Sequence, residues 1–166
     1  KAVNFGLIFG MGVAGLQQYA QLSYGVEMTT EEASQFYRRF FEAYTGIKQW
    51  HESLKKSPPK VVYTLARRKF LYSEKTGLPG YCNTPVQGTA ADIAKKALGK
   101  MARRLIGTDT YIVGMVHDEI LLECPEAKAD DFAQMLKSTM EQAANSILDL
   151  VPSEAEVTIA ENWAAK

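Results

Sequence analysis

The sequence predicts an α/β (α+β) chain: a helical portion to about residue 80, followed by antiparallel strands packed on two further helices. Three observations lead there. Apolar side chains recur at helical spacing in the first third and again over 89–105 and 127–148. Two pairs of short β-branched or aromatic runs, one near 61–72 and one at 111–123, are each joined by a few turn residues. The length of 166 residues and the 46% hydrophobic content are enough for a buried core.

Taken in order, KAVNFGLIFGMG is apolar and begins abruptly on a lysine, without the polar residues expected before a helix start, as a chain cut from a longer one does. Thr29-Thr30-Glu31-Glu32 reads as a capping box, and Ala33, Phe36, Tyr37, Phe40, Phe41 and Tyr44 follow at helical spacing, predicting a helix over about 30–44. Thr45-Gly46 is expected to break it, with a second helix from Ile47 to Lys56 ended by Pro58-Pro59. Val61–Leu65 and Lys69–Tyr72 flank Ala66-Arg67-Arg68 as a small hairpin, and Gly77, Pro79 and Gly80 mark a loop. From Thr89 to Leu105, Ile93, Ala97 and Met101 share one helical face while Lys96, Lys100 and Arg104 share another. Tyr111–Val116 and Glu119–Glu123 are separated only by His117-Asp118, a tight antiparallel hairpin. A helix over 127–148 and a closing strand from Ala155 to Ala160 complete the reading.

Several classes are excluded or disfavoured by composition. No run reaches the roughly 18 uninterrupted apolar residues of a membrane span, and the N-terminus lacks the order of a signal peptide, so a soluble cytoplasmic protein is expected. Cys82 and Cys124 are far apart, with no CxxC and no nearby histidine pair, which indicates neither a zinc site nor a disulfide. Nineteen basic and nineteen acidic side chains cancel, yet their distribution is uneven: residues 1–50 balance, 51–104 carry +9 and 105–166 carry −9. The basic middle, with Lys55, Lys56, Lys60, Arg67, Arg68, Lys69, Lys95, Lys96, Arg103 and Arg104, suits contact with backbone phosphates. Charge alone does not decide this, because Lys and Arg usually occupy solvated helix faces.

Two groupings have chemical potential. Lys1, Phe5 and Phe9 are four apart and share a helical stripe, so a cation able to meet a phosphate precedes aromatics able to stack on a base or sugar. By itself an aromatic stripe is more often core. Asp118 at the hairpin tip offers a hard oxygen ligand for a divalent cation, but Glu119 beside it should point to the other face, and one carboxylate is a poor metal site. An isolated Asp in a turn is more often only a turn residue. His51 lies in a charged helical stretch and reads as a surface side chain.

These segments become specific together. Lys1-Ala-Val-Asn-Phe5-Gly6-Leu-Ile-Phe9-Gly10 resembles the KxxxFGxxYG part of motif B of family A (DNA polymerase I-like) DNA polymerases. Asn83-Thr-Pro-Val-Gln87-Gly88-Thr-Ala-Ala-Asp92 resembles that family's N-x-P-x-QGTAAD segment, and Val116-His117-Asp118-Glu119 its motif C. The resemblance extends to FEAYTGIKQW, the Arg67-Arg68 turn and the ending Ile159-Ala-Glu-Asn-Trp163, so it runs along nearly the whole chain. It implies a fingers portion at 1–80 and a C-terminal half of a palm at 81–166. It further implies template-directed DNA synthesis: nucleotidyl transfer from a dNTP to a primer 3′-OH by a two-metal (Mg2+) mechanism, in a bacterial nucleoid or a phage-infected cell. On this resemblance Lys1 contacts the nucleotide's phosphates and Phe5 packs beside its sugar and base, with Phe9 on the same nucleotide-binding stripe. Asp118 binds magnesium, Glu119 lies close to the metal and primer end, and His117 lies near the primer terminus. Asn83 and Gln87 meet the template and primer minor groove, and Arg67 and Arg68 belong to the DNA-binding surface. Phe rather than Tyr at position 5 implies discrimination against dideoxynucleotides.

The departures matter as much. Phe9 replaces the motif's tyrosine, so a hydroxyl near the template is missing; the loop between Arg68 and Asn83 is shortened; and Pro79 stands where the family usually has a DNA-contacting arginine. The motif A aspartate, the arginine upstream of Lys1 and the thumb have no counterpart. Because a two-metal site needs both aspartates, the chain is expected to be inactive alone and to work with an upstream polymerase portion carrying that aspartate, primer–template DNA and dNTPs. The alternative is an inactive DNA- or nucleotide-binding relic, disfavoured by the retention of Lys1, Phe5 and Asp118. A phosphohydrolase built on His117-Asp118 is disfavoured by the presence of only two histidines.

Overall fold

The computed structural model describes residues 2–164, apart from the side chains of Ala2, Val3 and Phe5. Lys1, the expected phosphate contact, lies outside the described residues, as does the side chain of Phe5. The chain divides into two compact units: one runs to Tyr63 and resumes over Lys69–Val86, and the other combines Thr64–Arg68 with the chain from Gln87 onward.

The first unit is helical, with α1 (Ala2–Ile8), α2 (Val13–Tyr24), α3 (Thr30–Ala43), α4 (Thr45–Lys56), the hairpin strands β1 (Val61–Tyr63) and β2 (Lys69–Leu71), and the start of α5 (Leu78–Arg104). Helix α1 ends sooner than the Lys1–Phe5–Phe9 stripe requires. Gly10 adopts φ +85°, its N–H donates to Leu7 O at 3.2 Å, and Met11 N–H donates to Gly6 O at 2.9 Å. This is a Schellman ending, whose left-handed residue is cheapest as glycine, and it leaves Phe9 just beyond the helix and partly buried. The capping box forms as expected: Glu32 N–H donates to Thr29 Oγ1 at 3.2 Å and Thr29 N–H to Glu32 Oε2 at 2.8 Å.

Of the aromatic stripe on α3, Phe40 and Phe41 are buried with Leu7, Leu16 and Ala33, while Phe36 and Tyr44 are about half exposed, at 54% and 50%. Burying each large apolar side chain contributes roughly 1.5–3 kcal/mol. The expected break at Thr45-Gly46 falls one residue earlier. Tyr44 alone leaves helical geometry, at φ −109° and ψ 65°, and Gly46 lies inside α4.

Helix α5 begins eleven residues before the expected Thr89, so Pro79 and Gly80 lie in a first helical turn rather than a loop. Proline is tolerated there because first-turn N–H groups have no helical acceptor. Pro85 sits inside the helix, where it deprives Tyr81 O of its donor; the Tyr72 hydroxyl reaches that carbonyl at 3.4 Å.

The second unit packs α5 against β3 (Tyr111–Val116), β4 (Glu119–Glu123) and α6 (Ala129–Asn145). Its core holds Ala97, Met101, Leu105, Ile120, Phe132, Leu136 and Ala143; of the apolar face expected on α5, Ala97 and Met101 are buried there and Ile93 is only partly buried. The opposite, basic face is not wholly solvated. Arg104 Nη1 donates to Thr139 Oγ1 at 2.6 Å and Nη2 to Gln142 Oε1 at 3.2 Å, joining α5 to α6.

Strands β3 and β4 are antiparallel, with Tyr111 opposite Glu123 and Val116 opposite Glu119; a bulge at Val113 shifts the register between Ile112 and Gly114. At Gly114 a Cβ would lie 3.3 Å from Leu121 Cδ1, so the close approach favours glycine. The closing strand expected over 155–160 does not form. Residues 153–159 alternate in burial up to Val157, but they join no ladder among the described residues. Side chains of α6 hold this segment instead: Asn145 Oδ1 accepts from Ser153 N–H at 3.0 Å and Glu141 Oε1 from Ala155 N–H at 3.2 Å. Period-2 patterning specifies a strand only where a neighbouring edge offers partners for its backbone.

Candidate functional site

The sequence-predicted residues fall on three structural features. The first is the end of α1. Phe5 lies within the helix and Phe9 past it, so the expected stripe is shorter than its spacing suggested. The α1 end is held from α4: His51, expected on the surface, is only 4% exposed, and its Nε2 lies 2.8 Å from Ile8 O. A carbonyl can only accept, so this nitrogen carries the hydrogen.

The second feature is the tip of the β1–β2 hairpin and the QGTAAD stretch of α5, both within the second unit. Residues 64–68 form a tight turn: Thr64 N–H donates to Arg68 O at 2.9 Å, Arg67 N–H to Thr64 O at 2.9 Å, and Arg68 N–H to Thr64 Oγ1 at 3.0 Å. Arg67 is left-handed, at φ 67°, and exposed. A non-glycine residue in that region costs roughly 1–2 kcal/mol, so the surrounding hydrogen bonds must over-determine it.

The remaining contacts dock the turn on α5. Leu65 N–H donates to the buried Thr89 Oγ1 at 3.1 Å, and Arg68 Nη2 donates to Gly88 O at 3.0 Å. Arg68 Nε lies 2.8 Å from Asp92 Oδ1, with side-chain exposures of 36% and 12%. The guanidinium therefore faces α5, and Arg67 is the more open of the two arginines. Asn83 and Gln87 are both exposed on α5. Thr64, Thr89 and Asp92 were not singled out from the sequence; nothing in local spacing connects positions more than twenty residues apart.

The third feature is the β3–β4 tip. His117 is left-handed, at φ 53°, as two-residue hairpin turns require of at least one central residue. His117 and Asp118 are exposed and Glu119 is partly buried. Neither His117 nor Asp118 makes a side-chain hydrogen bond or ion pair among the described residues, so the Asp118 carboxylate is open to a ligand. No group of three or more His, Cys, Asp or Glu residues able to hold a metal occurs among the described residues. Asp118 can supply one or two oxygens of the six that magnesium takes, and the rest must come from elsewhere.

Comparison with known proteins supplies the family. The model for DNA polymerase family A matches residues 1–165. The chain is 39% identical to DNA polymerase I of Aquifex aeolicus over 98% of its length, and 33% identical to the thermostable DNA polymerase I of Thermus thermophilus over 98%. It spans 29% and 20% of those relatives' lengths, respectively. Among solved structures it is similar to the POL domain of Pol1 from M. smegmatis in complex with DNA primer-template and dNTP, with a TM-score of 0.67 and 27% identity. That match covers 86% of this chain and 26% of the other. With the family model matched from end to end, the chain belongs to DNA polymerase family A.

Proposed function

We propose that this chain is the C-terminal fingers and palm portion of a DNA-directed DNA polymerase, active together with an upstream portion that supplies a second metal-binding aspartate. The observation that carries the reading is the family match over residues 1–165, combined with an exposed Asp118 at a hairpin tip, whose carboxylate has no partner among the described residues. We assign 1–80 to the fingers and 81–166 to the palm.

The reaction joins the primer 3′ oxygen to the α-phosphorus of a dNTP, breaks the bond from that phosphorus to the bridging oxygen, and releases pyrophosphate. Two magnesium ions, when bound, would acidify the attacking hydroxyl and stabilise the leaving pyrophosphate. Asp118 fits one side of that site as a hard, solvent-open carboxylate. Lys1 neutralises triphosphate charge and Phe5 packs beside the sugar and base, with Phe9 next to that face. Asn83 and Gln87, exposed on α5, hydrogen-bond in the minor groove. His117 and Glu119 flank the primer end. Arg67 offers its charge to a backbone phosphate, and Arg68, 36% exposed on its side chain, braces the turn that presents it.

The test is primer extension with magnesium and dNTPs, by the chain alone, by the chain with its upstream portion, and by that pair carrying Asp118→Asn. Extension is expected only from the unmutated pair, with the Asp118→Asn loss on the order of a thousandfold, or about 4 kcal/mol of transition-state stabilisation. Extension by the chain alone would refute the divided site. No extension in any arm would favour a binding relic.

A further inference from the structure

We propose that His51 is a positioning residue that fixes the C-terminal end of α1 and, through it, the nucleotide-binding helix. A Schellman ending satisfies the carbonyls three and two places before the helix cap, here Gly6 and Leu7, through the amides of Met11 and Gly10. The next carbonyl, that of Ile8, gains no donor from the motif. His51 Nε2 supplies one at 2.8 Å from a position 43 residues away on α4. The ring is 4% exposed and is wedged against Phe41 and Trp50, with centroids at 5.4 and 5.5 Å, so its orientation is set by packing rather than chosen by solvent.

The described part of α1 runs over Ala2–Ile8, and the direction of its C-terminal end depends on how that end is held. Phe5 lies three residues, less than one turn, before the clamped carbonyl. The clamp joins the end of this helix to α4 by a directed hydrogen bond, while Leu7 anchors the same turn in the core at 1% exposure. Removing the donor leaves a partly buried carbonyl without this partner next to an intact hydrophobic contact. The expected result is a helix that stays folded but is less well held.

The role in nucleotide binding rests on the polymerase reading, whereas the clamp itself does not. The experiment compares the chain together with its upstream portion, carrying wild-type His51, His51→Met, which retains bulk without a donor, or His51→Gln, which retains an N–H donor. Amide exchange at Gly10 and Met11 is expected to quicken by about tenfold in His51→Met, with exchange across α3 unchanged, and to return toward wild type in His51→Gln. Unchanged exchange at Gly10 and Met11 would overturn the clamp whatever the activity. In primer extension, His51→Met is expected to raise the KM for dNTP several-fold while leaving primer–template affinity unchanged. Equal loss of both affinities, or no change in the dNTP KM where wild type extends primers, would overturn the positioning role and leave the polymerase reading standing. A wild type that neither binds dNTP nor extends would refute the polymerase reading, and amide exchange would then decide the clamp alone.

Discussion

Arg68 and Asp92 provide the sharpest test of how the hairpin tip is held. The Asp92 side chain is only 12% exposed, and one of its oxygens lies 2.8 Å from Arg68 Nε. Arg68 Nη2 also donates to Gly88 O at 3.0 Å. Replacing Asp92 with Ala strands a guanidinium beside the helix, and replacing Arg68 with Ala strands a largely buried carboxylate. Breaking a buried pair costs about 3–5 kcal/mol. Arg68 is 36% exposed and can turn toward water, so screening reduces the expected loss to about 2 kcal/mol for either single change. For a protein of this size that is a fall in Tm of roughly 4–8 °C.

The assay is urea denaturation of wild type, Arg68→Ala, Asp92→Ala and the double variant. The two residues touch, so their effects should not add, and a coupling of about 1 kcal/mol or more is expected from the cycle. Arg67→Ala serves as the contrast. It should leave stability within about 0.5 kcal/mol but weaken DNA binding and lower the salt slope by about one. Single changes below about 0.5 kcal/mol with no coupling would refute the assigned role of the pair, because surface substitutions do no more than that.

Two further outcomes follow from geometry and titration. Gly10→Ala should destabilise the first unit by about 1–2 kcal/mol, because φ is +85° and the added Cβ would lie 3.1 Å from Leu78 Cγ; equal urea midpoints for the two proteins would contradict this. Burial pushes the Cys82 thiol up to about 11, so it should resist iodoacetamide at pH 8 in the native state and react on unfolding. Its folded pKa is raised, so its contribution to stability is complete below the unfolded value of 9.0 and is lost as pH rises toward 11. A loss of that contribution between pH 5 and 8 would show the sign to be wrong.

The local elements were legible in the sequence because their causes lie within a few residues. The Thr29–Glu32 box, the β3–β4 hairpin around His117-Asp118 and the apolar face of Ala97 and Met101 depend on side chains one turn or one hairpin apart. The same holds for the motifs that disclosed the family. Boundaries failed where neighbouring chain could substitute for what a residue lacks. Pro85 persists inside α5 while the Tyr72 hydroxyl reaches the Tyr81 carbonyl, and the alternation of 153–157 makes no strand without an edge to pair with.

What only tertiary structure decided is which polar side chains take up partners far away in sequence. His51, Arg68 and Arg104 look like ordinary surface groups in a charged stretch, yet one holds Ile8 O from 43 residues away and another Thr139 from 35. Arg68 likewise grips Gly88 and Asp92 across the docked turn. A hydrogen-bond donor carries no sequence period of its own. Its partner is fixed by the packing of apolar faces, and a long side chain then turns toward the buried acceptor that packing has left within reach.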